Sequence, residues 1–310
     1  VLVMTSGNRG GEPICLTVDD ALNRLVGIAD AFLVHDREIN LRSDDSLLVV
    51  GPEGSQILRR ARGFAPKALR LHRPLRRQVL AMGAQLKSTV TLGSGHELVT
   101  SPHIGDLFSP EAQDSFEQVA HALPQFFGQH PEIVAVDLHP DMASTRLGRK
   151  IAHALGVPVA PVQHHHAHAV ACMVEHGLDD ALALVFDGTG LGSDGSIWGA
   201  ELLWVDQNGY VRLGTFTDAP LPGGDQAVRH PVRQLVARWL DAGLDVAPHW
   251  RERLDIGEES IAIWKTQIQR QLNTPRSHAA GRVFDAFSAL CGLNHGAITY
   301  EGQAAIRLEA

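Results

Sequence analysis

Four histidines within five residues are the first feature of this sequence that suggests chemistry. They lie in the segment VQHHHAH, where a strand-like run meets a helix-like run. Residues four apart share one face of a helix, so His164 and His168 can direct two imidazoles at one divalent cation, and the two histidines between them point elsewhere. The alternative interpretation is a polar helix start whose histidines cap the helix or face solvent.

A glycine-rich segment, LVFDGTGLGSDG, follows soon after the histidines. An apolar strand runs into Asp187 and a turn with four glycines, and a second strand returns from Ser196 to Trp204. Glycines let a backbone approach a phosphate closely, Thr189 and Ser193 add hydroxyl donors, and a carboxylate at the strand end can bind a metal. The hairpin resembles the phosphate loop of actin-like, sugar-kinase-like ATPases, although tight-turn chemistry alone also explains its glycines.

Three further polar turns carry groups that could hold a nucleotide. The segment LPGGDQAVRHP combines a Gly-Gly turn with Asp225 and Arg229, and an arginine near such a turn can bind a phosphate. A plain helix cap at Asp225 is the alternative. Ser6 and Asn8 lie in the turn TSGN, and Arg42 precedes two acids in RSDDS; each of these is also compatible with an ordinary turn.

Strands that alternate with helices around these motifs predict an α/β layered domain. Strands are predicted at Ile133–Leu138, Val157–Val162 and Ala181–Phe186. Helices are predicted between them, at Ala143–Leu155 and His164–His176.

The amino-terminal part follows a different pattern. A helix is predicted over Thr17–Ala29 with Thr17 as its cap, and strands over Ala31–Val34 and Ser46–Val50. The stretch Gln56–Arg77 then holds eight Lys and Arg and no acid, which favours an interdomain linker or an edge that faces a phosphate or a partner.

Composition narrows the class of protein. The chain has 310 residues with a formal net charge of −8, which argues against a general nucleic-acid-binding surface. No apolar run approaches the roughly 18 residues of a membrane-spanning helix, and no signal peptide is evident. Three widely separated cysteines argue against a disulfide framework. These observations predict a soluble protein of a reducing compartment.

A longer series of motifs runs along the chain. Its first part is TSGN with GEPI, then ADAFLVHDREINLRSDDS and RRARGFAP. Its second part is, in order, AMGAQLKST, SPHIGDL, VDLHPDMAST, VQHHHAHAVACMVEHG, FDGTGLGSDGSIWGAE, LPGGDQAVRHPVR, GRVFDAFSALCGL and YEGQAAIRLE. The series resembles one known family, the HypF-type carbamoyltransferases of hydrogenase maturation. The first part resembles the end of the family's YrdC-like domain, and the second part its next domain, which is related to TsaD-type threonylcarbamoyl transferases. The resemblance implies an α/β (α+β) chain: the carboxyl-terminal part of a YrdC-like domain at 1–65, a basic linker at 66–77, and an actin-like, TsaD-like ATPase-fold domain at 78–310, incomplete at its end.

The resemblance also implies a reaction. The YrdC-like domain makes carbamoyl-adenylate from ATP and carbamate derived from carbamoyl phosphate, and the TsaD-like domain transfers the carbamoyl group to the carboxyl-terminal cysteine of a HypE-like partner. That group becomes the cyanide ligand of the nickel-iron hydrogenase centre. A cytoplasmic enzyme with no membrane partner is expected.

Site residues follow from the same resemblance. His164 and His168 match the metal-binding histidines, with Asp187 as the acidic ligand of a divalent zinc or iron ion, and Mg²⁺ is expected with ATP. Asp187 and Lys87 are the implied catalytic residues. The implied nucleotide-binding residues are Ser6, Asn8, Arg42, Gly188, Thr189, Gly190, Gly223, Gly224 and Asp225.

Parts of the family pattern lie outside this sequence. The resemblance places an acylphosphatase-like segment, zinc fingers and most of the YrdC-like domain before Val1. It places a glycine-rich phosphate loop and a further metal-binding Asp after Ala310. The chain alone is therefore not expected to perform the full reaction. Alternatives are a small-molecule O-carbamoyltransferase, a tRNA threonylcarbamoyl transferase, which the basic stretch favours, and a non-catalytic metal- or nucleotide-binding scaffold.

Overall fold

The structure is a computed structural model that describes residues 5–10, 12–206, 208–294 and 296–310. The contacts divide the chain into two units, Val1–Val162 and Gln163–Ala310. The helices and strands of the first unit are α1 (Val18–Arg24), β1 (Leu47–Gly51), β2 (Gly54–Arg59), β3 (Leu69–Arg70), β4 (Val79–Ala81), β5 (Thr91–Ser94), β6 (Glu97–Thr100), α2 (Pro110–Phe126), β7 (Ile133–Asp137), α3 (Ala143–Leu155) and β8 (Val159–Val162).

A six-stranded mixed sheet forms the centre of the first unit, with strand order β3-β6-β5-β4-β7-β8. β4, β7 and β8 run parallel, whereas β5, β6 and β3 are antiparallel to their neighbours. Leu80 and Val134 from the sheet and Phe116 from α2 are completely buried in its core. Gly148 lets α3 approach the sheet closely, because a Cβ there would lie 2.6 Å from Cγ1 of Val136.

The amino-terminal elements differ from the prediction. Thr17 caps α1 as expected, since its side chain accepts from the backbone N–H of Asp20, but the helix ends at Arg24 rather than Ala29. The strand predicted at Ala31–Val34 is wrong: the segment is irregular, and Leu33 is fully exposed. Strands β1 and β2 pair with each other in a hairpin, and β3 lies inside the segment expected to be a linker.

The second unit contains α4 (His164–His176), β9 (Ala181–Leu191), β10 (Ile197–Asp206), β11 (Gly209–Thr215), β12 (Ala219–Pro220), α5 (Asp225–Arg229), α6 (Pro231–Asp241), α7 (Pro248–Arg253), α8 (Glu258–Arg270), β13 (Arg276–Ser277), α9 (Ala280–Leu290) and α10 (Gln303–Glu309). β9, β10 and β11 form an antiparallel meander, and β13 extends the sheet beside β10. Helices α4 and α9 both pack on β9 and β10.

Two apolar clusters stabilise this unit. Met173 of α4 packs with Val185, Trp198 and Leu203 of the sheet. The second cluster joins α6, α8 and α9 around the buried Trp264. Across the described residues, no helix has the length and apolar character needed to span a bilayer.

Candidate metal and nucleotide site

The first turn of α4 presents two imidazoles on one face, as their spacing predicts. Gln163 is the N-cap, and its side-chain oxygen accepts from the backbone N–H of His166 at 2.8 Å. The Nε2 atoms of His164 and His168 lie 3.3 Å apart. Nε2 of His164 is also 3.4 Å from Oδ2 of Asp187 on β9.

These three side chains form a group that could hold a metal ion. Their ligand atoms all lie within 4.8 Å of one another. Oδ2 of Asp187 is buried and has no hydrogen-bond partner, whereas Oδ1 accepts from the backbone N–H of Gly188 at 2.6 Å. Two imidazoles and a carboxylate are ligands that suit zinc and iron alike, and an unsatisfied buried carboxylate oxygen fits a cation.

The two intervening histidines behave differently from each other. His166 points away from the cluster, and its ring packs 5.0 Å from that of Tyr210. His165 is outside the three-residue group, but it is fully buried and close to the same carboxylate, because its Nε2 lies 3.6 Å from Oδ2 of Asp187. Burial lowers the pKa of His165 to about 4, so this imidazole is neutral at physiological pH. Burial also lowers the pKa of His166.

Asp187 lies in a strand bulge and not, as predicted, at the start of a turn. β9 continues to Leu191, and Gly190 pairs with Trp198 while Phe186 pairs with Ala200. Three residues of β9, numbers 187–189, are therefore opposite the single residue Gly199. Such a bulge locally interrupts the ladder, which redirects side chains and backbone groups out of the sheet.

Helix α9 packs against this bulge at its first turn. A Cβ on Gly281 would lie 3.0 Å from Cα of Gly188, and a Cβ on Gly199 would lie 2.8 Å from the carbonyl oxygen of Asp187. The guanidinium of Arg282 donates to the carbonyl of Gly188 at 3.3 Å and to the carboxylate of Asp285 at 2.7 Å. Both charged side chains are almost completely buried, and burial raises the pKa of Asp285 despite its arginine partner.

The glycines of the predicted phosphate loop have different surroundings. A Cβ on Gly190 would lie 2.5 Å from Cε1 of His165, and a Cβ on Gly192 would lie 2.1 Å from Nε1 of Trp198. Both positions therefore require glycine for packing inside the protein. Gly188 has nothing within 4 Å of such a Cβ, so its open side is the one that a ligand could approach.

The hairpin between β9 and β10 is stabilised by carboxylates that sequence reasoning did not single out. Oδ1 of Asp194 accepts from the indole of Trp198 at 2.9 Å. The fully buried Glu201 accepts from the backbone N–H of Gly199 at 3.0 Å and from Nε of Arg212 at 2.7 Å. Burial alone would raise the pKa of Glu201, but these hydrogen bonds lower it below its ordinary value. The guanidinium of Arg212 lies 4.1 Å above the Trp198 ring.

The second glycine turn has its own set of contacts. Gly223 and Gly224 have φ angles of +89° and +56°, which favour glycine. Asp225 begins the short helix α5 and is exposed, without forming a side-chain cap. The arginine against this turn is Arg233, since a Cβ on Gly223 would lie 2.6 Å from its Nη1. Arg229, which the sequence suggested, is exposed at the end of α5.

The remaining predicted residues belong to the first unit. Lys87 is exposed and adopts φ +49°, and its backbone N–H donates to Oδ1 of Asp106 at 2.8 Å. Ser6 is exposed, and the side chain of Asn8 donates to the carbonyl of Glu12 at 2.9 Å. Nε of Arg42 donates to the carbonyl of Ile14 at 2.7 Å.

Comparison with known proteins gives matches along the chain. A family described as "HypF Kae1-like domain" matches residues 74–175, and "Carbamoyltransferase, Kae1-like Domain, second subdomain" matches residues 183–310. Residues 1–61 match a family of the Sua5, YciO and YrdC type described as "Telomere recombination".

Curated relatives and solved structures agree with these matches. Carbamoyltransferase HypF2 of Cupriavidus necator is 45% identical over 100% of this chain and 38% of its own length. Carbamoyltransferase HypF of Rhodobacter capsulatus is 40% identical over 100% of this chain and 42% of its own length. A structure described as full-length HypF in the phosphate- and nucleotide-bound form aligns with a TM-score of 0.89 and 36% identity, over 98% of this chain and 47% of that one. The chain thus spans less than half the length of these three proteins.

Proposed function

The chain belongs to the HypF carbamoyltransferase family, and on that premise we propose that it forms part of an enzyme that uses ATP and carbamoyl phosphate to carbamoylate a partner protein. The acceptor is the carboxyl-terminal cysteine of a HypE-like protein, and the product serves synthesis of the cyanide ligand in nickel-iron hydrogenase maturation. The reaction takes place in the cytoplasm.

The observation that carries this proposal is the juxtaposition of His164, His168 and Asp187 at a glycine-containing bulge. These side chains would bind a zinc or iron ion. A divalent cation in such a site can polarise a carbonyl oxygen or neutralise phosphate charge. Because the three ligands come from one helix and one strand of the same unit, packing of α4 on β9 holds them in place.

The residues around the ligands have separate roles in this proposal. Gly188 offers an open backbone position for a phosphate group of ATP, which is accompanied by Mg²⁺, and the exposed Thr189 adds a hydroxyl. The buried Arg282 bonds to the carbonyl of Gly188 and restrains the bulge. Gly190 packs against His165, so its contribution is to the shape of the site.

Residues away from the metal ligands also have roles in the proposed enzyme. Gly223, Gly224 and Asp225 contribute to nucleotide binding, and Asp187 and Lys87 are the proposed catalytic residues. Ser6, Asn8 and Arg42 belong to the adenylate-forming part. Residues 1–65 represent that YrdC-like part, 66–77 a basic linker, and 78–310 the carbamoyl-transferring part. The bound nucleotide and phosphate of the related HypF structure support the choice of ATP and carbamoyl phosphate as substrates.

A chimera tests the function directly. This chain replaces the matched 38% of the Cupriavidus necator relative, which then supplies the remaining length. With ATP, carbamoyl phosphate and a HypE-like acceptor, we expect a thiocarbamate on the acceptor cysteine, detected by mass spectrometry. His164→Ala and His168→Ala should abolish both transfer and bound metal, whereas His166→Ala should retain both.

Two results would contradict the proposal. One is a folded chimera that leaves the cysteine unmodified while it carbamoylates a hydroxylated small molecule or a tRNA. The other is unchanged metal content in the His164 and His168 variants, which would remove the site assignment.

A further inference from the structure

We propose that His165 is a positioning residue whose Nε2–H holds Oδ2 of Asp187 in the orientation needed to bind the metal. This inference rests on the metal site of the proposed function and assigns a role to the histidine that lies between its two ligands. The two atoms are 3.6 Å apart, and each is buried without a hydrogen-bond partner. They face each other just beyond hydrogen-bond distance.

The protonation of His165 follows from its other contacts. The side-chain amide of Gln163 has a defined orientation, because its oxygen accepts from the backbone N–H of His166 and its nitrogen donates to the carbonyl of Leu191 at 3.1 Å. A backbone N–H can only donate and a carbonyl can only accept, so exchange of the amide oxygen and nitrogen would break both bonds. The amide nitrogen therefore donates to Nδ1 of His165 at 2.9 Å.

Because Nδ1 of His165 accepts, the proton of the neutral ring is on Nε2. Nε2 is the ring nitrogen that lies near the carboxylate of Asp187, and its N–H can donate to Oδ2 once the 3.6 Å separation closes to hydrogen-bond distance. A carboxylate oxygen has two lone pairs, so Oδ2 can accept from His165 and bind a metal at once. Such supporting hydrogen bonds commonly orient carboxylate ligands.

The packing around His165 holds the ring in this orientation. The side chain is completely buried, its ring lies 5.7 Å from that of Trp198, and Gly190 leaves no space for movement on its other side. The hydrogen bond from the buried Gln163 to Nδ1 also fixes the rotation of the ring, and with it the side of the ring on which Nε2 lies.

Zinc binding to the metal-free chain tests this role by calorimetry. His165→Phe keeps a planar ring but loses the donor, so we expect zinc affinity to fall roughly 10- to 100-fold, the usual effect of removing a supporting partner. His165→Gln places an amide N–H near the lost donor and should recover part of that affinity. The matched control is His166→Phe, which removes a neighbouring half-buried imidazole that packs on Tyr210 and should leave affinity unchanged.

A second readout does not depend on variant stability. In ¹⁵N-labelled wild-type chain, the imidazole spectrum should show His165 protonated at Nε2 and unprotonated at Nδ1. Protonation at Nδ1, or a His165→Phe variant that binds zinc as tightly as wild type, would overturn the positioning role while leaving the metal site intact. Failure of the wild-type chain to bind zinc or iron would instead contradict the proposed metal site itself, so the two failures are distinguishable.

Discussion

At the scale of single residues, the glycines of the predicted phosphate loop separate into two kinds. Gly190 and Gly192 are packed against His165 and Trp198, where any Cβ would overlap a ring. Gly188 has open space where a Cβ would lie, although its backbone N–H donates to the Asp187 carboxylate and its carbonyl accepts from Arg282. Glycine at 188 is therefore not required by internal packing, which is consistent with a position that a ligand approaches.

Alanine substitutions distinguish the two kinds of glycine. We expect Gly190→Ala to destabilise the fold by about 1 to 3 kcal/mol, because its Cβ would lie 2.5 Å from Cε1 of the fully buried His165. We expect Gly188→Ala to change the free energy of unfolding by less than ~0.5 kcal/mol and to weaken nucleotide binding severalfold. Urea denaturation and calorimetry with ATP measure the two effects. Equal loss of stability in both variants would contradict this distinction.

Part of the arrangement of these side chains can be predicted from sequence patterns. The spacing of His164 and His168 is sufficient to place them on one face of α4, because helical geometry is local. The direction of His165 is not local, since it depends on Gln163, Gly190 and the register of the β9–β10 hairpin. The same holds for Arg282, whose partner Gly188 is 94 residues away in the sequence.

At the scale of elements, the strand bulge at residues 187–189 takes Asp187 out of the regular pairing between β9 and β10. Glu201 stabilises β10, the strand opposite the bulge. Its carboxylate accepts from the backbone N–H groups of Gly199 and Ala200 and from Arg212. Its carboxylate is fully buried, so it is stable as an anion only while these donors remain. The shape of the bulge therefore depends on the charge of Glu201.

Glu201→Gln should change how stability depends on pH. The folded-state pKa of Glu201 is below its ordinary value of 4.5, so its stabilisation is fully present above that value and is lost as pH falls through the folded-state pKa. Near neutral pH we expect the variant to be less stable by about 1.5 to 3 kcal/mol, the usual range for hydrogen bonds to a charged group. The difference between wild type and variant should shrink as the pH falls.

Urea unfolding of both proteins from about pH 7 to about pH 3 measures this dependence. Subtracting the variant removes the contribution of distant carboxylates with lowered pKa values, such as Asp20 and Asp218. A stability difference that stays constant across this range would contradict the assigned role of the Glu201 charge.

Helices whose bounds depend on residues close in the sequence were predicted best. The bounds of α3 and α4 are confirmed, and each helix is followed by a glycine in the left-handed region, Gly156 and Gly177. The end of β9 was not predicted, because the glycines after Asp187 favour a turn when the packing of Gly190 and Gly192 is unknown. The strand expected at Ala31–Val34 fails because strands need a partner, which a local pattern does not provide.

At the scale of the whole molecule, the chain contains two contact units, each with its own buried core. The family and the α/β class follow from an ordered series of motifs, and the comparisons confirm both. The two contact units could not be predicted, because the sequence alone does not show which segments contact one another. All three proposed metal ligands belong to the second unit.

Metal binding should therefore stabilise the second unit selectively. A ligand that binds only the folded state contributes about 2.7 kcal/mol at a concentration about a hundredfold above its Kd. With excess zinc, we expect slower amide hydrogen exchange in α4 and β9, which carry the ligands, and little change in β4 and β7 of the first unit. Mass spectrometry of peptic fragments measures this for wild type and for His164→Ala, in which zinc should have no effect. Zinc-dependent protection in the first unit but not in α4 would place the ion away from His164, His168 and Asp187.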